Sequence, residues 1–199
     1  MMKKNAGFTL MELMVAIAIV GIITAIAIPN ILVMLPRWRA KTAATDLMGN
    51  LQLAKLTAIR KGVFCDVIFS TGPDQYEISY TDTKEGVPTT TVIKTVTLSD
   101  YGSGVEFRGP PTPYLDFEPT AGAITITFNN RGMITAPLLG GLLTGGYAYF
   151  SAANDHPELR AAADPNFERR YFRVGVNVAG VVEFFTSTAN TATNTWGWE

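Results

Sequence analysis

The chain of 199 residues contains one cysteine and one histidine. Cys65 alone cannot close an intramolecular disulfide, so no covalent staple holds this fold. It sits in VFCDVIFS and is expected to be a small buried strand residue rather than a reactive thiol. His156, in the polar turn-like peptide Asn154-Asp155-His156-Pro157-Glu158, is far from Cys65 in sequence. The two give too few ligands for a zinc site, so no metal is expected. The glycines between 140 and 146 lack the Gly-Lys-Ser/Thr ending that holds phosphate and magnesium. Asp74, Asp82, Asp100 and Asp116 are scattered turn-like acids that give no support to paired-carboxylate hydrolysis. Formal net charge is −1, so there is no global basic field to attract nucleic acid. Charged residues make up 17%, below the usual quarter of a soluble protein. The sum of these absences is a non-enzyme without a cofactor.

What is present is concentrated at the N-terminus, MMKKNAGFTLMELMVAIAIVGIITAIAIPNILVML. A short basic leader carries Lys3 and Lys4 and ends at Gly7. One acid, Glu12, follows, and the chain is then apolar to Leu35. An ordinary secretory signal is cut after its apolar core, at small residues. Here a cut after Gly7 would precede the core, removing the leader and keeping the hydrophobic helix. From Phe8 to Leu35 a helix rising about 1.5 Å per residue spans roughly 42 Å, more than the ~30 Å hydrocarbon core of a bilayer. Lys3 and Lys4 argue that the leader stays in the cytoplasm. A carboxylate inside such a helix costs on the order of a few kcal/mol, so Glu12 either reaches the interface, is protonated, or has a partner. Pro29 and Pro36 lack an N–H and clash with the preceding turn, which predicts kinks there. Simple membrane-helix kinks and local melting that lets a filament stretch both remain open.

The residues GFTLMELM at 7–14 resemble the prepilin motif of type IV pilins and of type II secretion pseudopilins. The resemblance implies that a prepilin peptidase cuts between Gly7 and Phe8 and methylates the new amine of Phe8. It implies that Glu12 pairs with the N-terminal amine of a neighbouring subunit and sets axial register. Low dielectric would strengthen that pair. The segment Thr42–Lys61 (TAATDLMGNLQLAKLTAIRK), the element FNNRG at Phe128–Gly132 and the closing FRVGVNVAGVVEF at Phe172–Phe184 are similar to the minor pilins FimT and FimU and to pseudopilin H.

Residues 37–62 read as the amphipathic second half of the helix. Ala40, Ala44, Leu47, Leu51, Ala54 and Ala58 recur at spacings of 4, 3, 4, 3 and 4, while Asp46, Gln52, Lys55 and Arg60 lie mostly off that stripe. Gly62 is the expected stop after Arg60 and Lys61. Arg37-Trp38-Arg39 is the kind of sequence a membrane–water interface attracts. Beyond Gly62 the period becomes two: Val63–Ser70, Gln75–Thr81, Thr89–Leu98 and Ala123–Phe128 are predicted strands. Arg170–Asn177 and Val181–Thr186, around Ala179-Gly180, are predicted as a hairpin. The fold class is therefore α+β and pilin-like, a long N-terminal α-helix packed on an antiparallel β-sheet. Domain bounds are 1–7 for the leader, 8–36 for the transmembrane or filament-core helix, 37–62 for its amphipathic continuation, and 63–199 for a β-rich periplasmic or extracellular domain. Arg108–Gly122 has four prolines and is expected to be irregular. Ala136–Gly146 is expected to be a loop, folded over the core or exposed as a contact. The tail from Thr186 either frays or is pinned by Trp196 and Trp198.

The function expected is a minor pilin of a type IV pilus, held in the inner membrane by a single pass and then incorporated into a filament at its initiating or tip complex. Expected partners are the prepilin peptidase, other pilins through the N-terminal helix, and inner-membrane lipid. A pseudopilin H-like secretion component is the first alternative. A DNA-binding uptake receptor is the second, resting on Arg160, Arg169, Arg170 and Arg173 beside Phe167, Tyr171 and Phe172. Glu158, Asp164 and Glu168 interleave with those cations and favour a solvated face. An anchored periplasmic domain that never assembles is the third.

Overall fold

The computed structural model describes residues 8–71, 73–83, 86–102, 104–107, 124–136, 138–139, 142–143, 146–152, 168–190 and 195–198. The chain divides into two compact units, residues 1–35 and 36–199. One helix, α1 (Leu10–Lys61), contributes to both. Within the first unit it stands with its apolar side chains exposed, among them Leu10, Ile17, Ile22 and Ile26.

In the second unit the stripe predicted from spacing is buried in full: Ala40, Ala44, Leu47, Leu51, Ala54 and Ala58 are each 0–1% exposed, joined by Ala43. Alanines bring the helix axis close to the strands beneath, and Leu47 and Leu51 fill the space between them, worth roughly 1.5–3 kcal/mol each when fully buried. α1 ends as its sequence dictates. Gly62 takes φ +68°, and both its N–H and that of Val63 reach the carbonyl of Ala58, at 2.9 and 3.2 Å. The longer of these bonds is the Schellman signature.

Among the described residues, two five-stranded antiparallel sheets follow, where a single sheet was expected. The first has the order β3-β2-β1-β5-β6, from β1 (Phe64–Thr71), β2 (Asp74–Asp82), β3 (Thr89–Thr97), β5 (Ile124–Phe128) and β6 (Ile134–Ala136). The second has the order β12-β11-β10-β9-β4, from β4 (Val105–Phe107), β9 (Gly146–Ala152), β10 (Glu168–Val176), β11 (Val182–Asn190) and β12 (Thr195–Trp198). Alternation fixes the faces: Cys65, Val67 and Phe69 of β1 point inward, while Phe64 between them and the helix end is exposed. The two sheets share one core with the helix, and Phe69 of the first packs edge-on against Phe107 of the second (5.8 Å, 77°), which meets Phe150 at 5.2 Å.

Several boundaries differ from expectation. Leu98 does not end β3; it opens a 3-10 turn, Leu98–Tyr101, in which it is fully buried. The segment 136–146, expected as a loop, carries a two-stranded ladder of β7 (Leu138–Leu139) and β8 (Leu142–Leu143). The tail is paired rather than frayed: β11 runs to Asn190 and β12 returns beside it, Ala189 opposite Trp196 and Ser187 opposite Trp198. The segment Arg108–Gly122 lies outside the described residues.

A polar thread crosses the interface between helix and first sheet. Asn50, 7% exposed, donates from Nδ2 to the hydroxyl of fully buried Tyr76 at 2.6 Å, and its Oδ1 accepts from Lys94 Nζ at 3.1 Å. One turn earlier on the helix, Asp46 Oδ2 accepts from the Tyr101 hydroxyl at 2.8 Å. Burial pushes the Tyr76 phenol up to about 12, and burial with the Asp46 hydrogen bond raises that of Tyr101.

Candidate processing and assembly site

The helix head is built by Thr9. Its Oγ1 accepts the N–H of Glu12 at 3.2 Å and its carbonyl accepts that of Leu13, also at 3.2 Å. Thr9 is thus the N-cap and Glu12 the third helical residue, the Thr-x-x-Glu spacing of a capping box. A carboxylate in the first turn faces the positive end of the helix dipole, and at this position its own chain supplies no cation among the described residues. The capping box was legible in the sequence, since Thr9 and Glu12 stand three apart just before an apolar run. Phe8, immediately before the cap, is 82% exposed. Gly7 and the rest of the leader lie outside the described residues.

The span Leu10–Ile28 is long and apolar enough to cross a membrane, and none of it is buried within the chain. α1 is helical through both prolines. Pro36 is half-buried. Neither interrupts the helix, so any kink there remains a proposal.

The two glycine elements singled out by resemblance prove to be one construction made twice. In Asn129-Asn130-Arg131-Gly132-Met133 and in Asn177-Val178-Ala179-Gly180-Val181, the asparagine N–H bonds the carbonyl four residues on (2.9 and 3.0 Å), and the glycine N–H bonds the asparagine carbonyl (2.8 Å in both). The asparagine Oδ1 then accepts the N–H of the residue after the glycine, at 3.0 Å in both. The glycines take φ +77° and +72°. One turn joins β5 to β6 and the other joins β10 to β11, so each sheet contributes one, and they are stacked. A Cβ on Gly180 would lie 1.9 Å from the carbonyl oxygen of Gly132. The Ile134 N–H bonds the Val178 carbonyl at 3.2 Å, and Lys55 of α1 donates to the Gly180 carbonyl at 2.7 Å. Helix and both sheets are fastened at this one point.

Three of the arginines expected as possible nucleic-acid contacts, Arg169, Arg170 and Arg173, lie on β10. Arg173 is half-buried with its guanidinium 4.3 Å from the Phe185 ring centroid. Arg169 and Arg170 lie on β10 opposite Ala189 and Thr188. Arg160 and His156 lie outside the described residues. Cys65 is buried, as its strand context predicted, and burial followed by the Asp66 charge pushes its thiol up to about 11. Among the described residues no cluster of His, Cys, Asp or Glu could hold a metal ion.

Residues 2–28 match the family described as the prokaryotic N-terminal methylation motif. Two Pseudomonas aeruginosa proteins named "Fimbrial protein" are each 37% identical to this chain over 83 residues, covering 41% of it and 52% of their own length. The "Type IV major pilin protein PilA" of Myxococcus xanthus (strain DK1622) is 50% identical over 44 residues, 22% of this chain and 20% of its own. The chain spans about half the length, or less, of the curated relatives it matches. No solved structure matches it. Residues matching an N-methylation motif include the exposed apolar span Leu10–Ile28, and antiparallel sheet follows, which is a pilin-like α+β architecture. The matched N-terminal segment is similar to that of the fimbrial proteins and of the type IV pilin.

Proposed function

We propose that this chain is a minor pilin of a type IV pilus. Prepilin peptidase cuts it between Gly7 and Phe8 and methylates the Phe8 amine. The Leu10–Ile28 helix first anchors it in the inner membrane, with the β-rich unit on the periplasmic side, and then joins the helical core of a filament at the initiating or tip complex. The observation that carries this reading is a capped, exposed apolar helix span, Leu10–Ile28, that lies within the residues matching the methylation motif. Apolar surface on that scale marks a membrane or protein contact, and the motif names a process that keeps the helix.

Glu12 is the proposed register residue. Cutting at Gly7 creates an amine on Phe8 that the precursor lacks, and in an apolar medium a carboxylate and an amine attract far more strongly than in water. The test is the amount of chain in sheared filaments from cells carrying wild type, Glu12→Gln or Glu12→Ala. Loss of incorporation in both variants, with membrane levels unchanged, supports the reading; wild-type incorporation of Glu12→Ala contradicts it. Running the assay in strains lacking either the pilus or the secretion assembly platform separates a pilin from a pseudopilin.

A further inference from the structure

Between Glu12 and Asp46 the chain carries no acid, and its only cations are Arg37, Arg39 and Lys41. They flank Trp38, which is 68% exposed although the neighbouring Ala40 is 1% exposed. At 100° per residue the buried stripe of Ala40, Ala43, Ala44 and Leu47 leaves Trp38 on the opposite crest of α1. Arg37 and Lys41 then occupy one shoulder and Arg39 the other. Arg39 is braced: an added Cβ on Gly102 would meet its guanidinium carbon at 2.8 Å, so the side chain lies along the loop behind the 3-10 turn. The next acid on the helix, Asp46, is engaged by the Tyr101 hydroxyl, and Asp100 is exposed on that same turn. The collar begins two residues after the apolar run ends at Leu35.

We infer that Arg37, Trp38, Arg39 and Lys41 form a docking collar for anionic phospholipid headgroups, on the leaflet where the helix leaves the bilayer. The inference rests on the helix being a membrane anchor, and not on cleavage or filament assembly. Indole is amphipathic and settles at headgroup level. Guanidinium groups offer paired donors to phosphodiester oxygens, and long basic side chains reach the interface with their stems in apolar surroundings. Trp38 stands about thirty residues past Phe8, a rise of roughly 45 Å along a helix, against ~40–45 Å for a bilayer with its headgroups. The placement is informative because it opposes the usual charge bias. Orientation is normally set by cations on the cytoplasmic flank, and here Lys3 and Lys4 of the leader fill that role. If the leader is removed, the collar holds the largest remaining set of cations beside the span.

The test uses the full chain with Gly7→Val, so that processing plays no part, reconstituted in bilayers with spin-labelled lipids. The quantity read is the preference of the protein-contacting shell for phosphatidylglycerol over phosphatidylcholine. An anionic surface favours each nearby cation roughly fivefold at low salt. A preference of at least fivefold is therefore expected, falling below twofold in 0.5 M salt as the Debye length shrinks to about 4 Å. Arg37→Gln/Arg39→Gln/Lys41→Gln should bring it below twofold, Lys3→Gln/Lys4→Gln should leave most of it, and the exposed single variant Lys41→Gln should lower it about twofold or more without touching the fold. Millimolar glycerol phosphate should not compete. An unselective parent chain, a preference that survives the triple variant, one carried by Lys3 and Lys4, or one abolished by glycerol phosphate would each overturn the proposal, the last by indicating a phosphate site rather than a membrane surface. None of these outcomes bears on whether the chain is cut at Gly7.

Discussion

Replacing Gly180 with alanine should be far more damaging than replacing Gly62, although both residues have nearly the same backbone angle. At Gly62 (φ +68°) nothing lies within 4 Å of an added Cβ, so the cost is the left-handed conformation itself, about 1–2 kcal/mol. At Gly180 (φ +72°) the same strain applies, but the methyl would also sit 1.9 Å from the backbone oxygen of Gly132. Ordinary contact is about 3.5 Å, so the two stacked turns must part by about 1.5 Å. One bond runs across that gap and another ties the Gly180 turn to α1. The Ile134–Val178 backbone bond is worth about 1 kcal/mol net, and the charged one from Lys55 to the Gly180 carbonyl about 1.5–3 kcal/mol. Gly180→Ala should therefore lose roughly 4–6 kcal/mol against 1–2 for Gly62→Ala. In a domain of this size each kcal/mol moves the midpoint by about 2–4 °C. Thermal denaturation of the full chain in mild detergent, followed by circular dichroism, should show Gly62→Ala lowered by a few degrees. Gly180→Ala should be lowered by about 10 °C or more, or fail to fold. Midpoints within about 2 °C of each other would refute the stacked-turn account.

Asn50→Ala should cost about 1–3 kcal/mol, because the Tyr76 hydroxyl and the Lys94 ammonium lose their shared partner under the helix; the same melting experiment reads it. Gly49→Ala should stabilise by about 0.5–1 kcal/mol, since Gly49 lies in the exposed interior of α1 with nothing within 4 Å of the new methyl. Alkali should unfold the domain. Tyr76 and Cys65 are acids whose neutral forms the fold favours, so the folded chain keeps its protons to higher pH than the unfolded chain. Their contribution is complete below about pH 9 and is lost as pH rises towards 12. For Tyr76 the loss is on the order of 2–3 kcal/mol. Tyrosinate absorbance should rise together with loss of folded signal, and full ionisation of Tyr76 in a still-folded chain would contradict it.

The helix stripe was readable because its spacing is local. Each small or apolar residue from Ala40 to Ala58 recurs once per turn, so the face that packs on the sheets is set within the helix itself. The strands with β-branched alternation were readable for the same reason: Phe64–Thr71, Asp74–Asp82 and Ile124–Phe128 lie within a residue or two of their predicted bounds. The division into two sheets was not readable. It depends on β4 finding β9, with Val105 opposite Ala152 and Phe107 opposite Phe150, across a proline-rich interval with no periodic signal of its own. β12 was obscured because Thr195–Trp198 contains glycine and stands alone, and it becomes a strand only when β11 extends to meet it. At the helix head the reverse holds. Thr9 and Glu12 stand at the Thr-x-x-Glu spacing, a local signal that marks Thr9 as the N-cap. The repeat of Asn-x-x-Gly at 129–132 and 177–180 was likewise visible as letters, while the stacking that gives it meaning is a tertiary fact.

The central claim is that the chain is processed in front of its hydrophobic helix and that the helix is retained. Intact mass of the membrane-extracted protein tests it most directly, with Gly7→Val as the control. The account predicts loss of residues 1–7 and gain of one methyl group on Phe8 in the parent chain, and neither change in the variant. An uncut chain, or one cut downstream of Leu35, would contradict it.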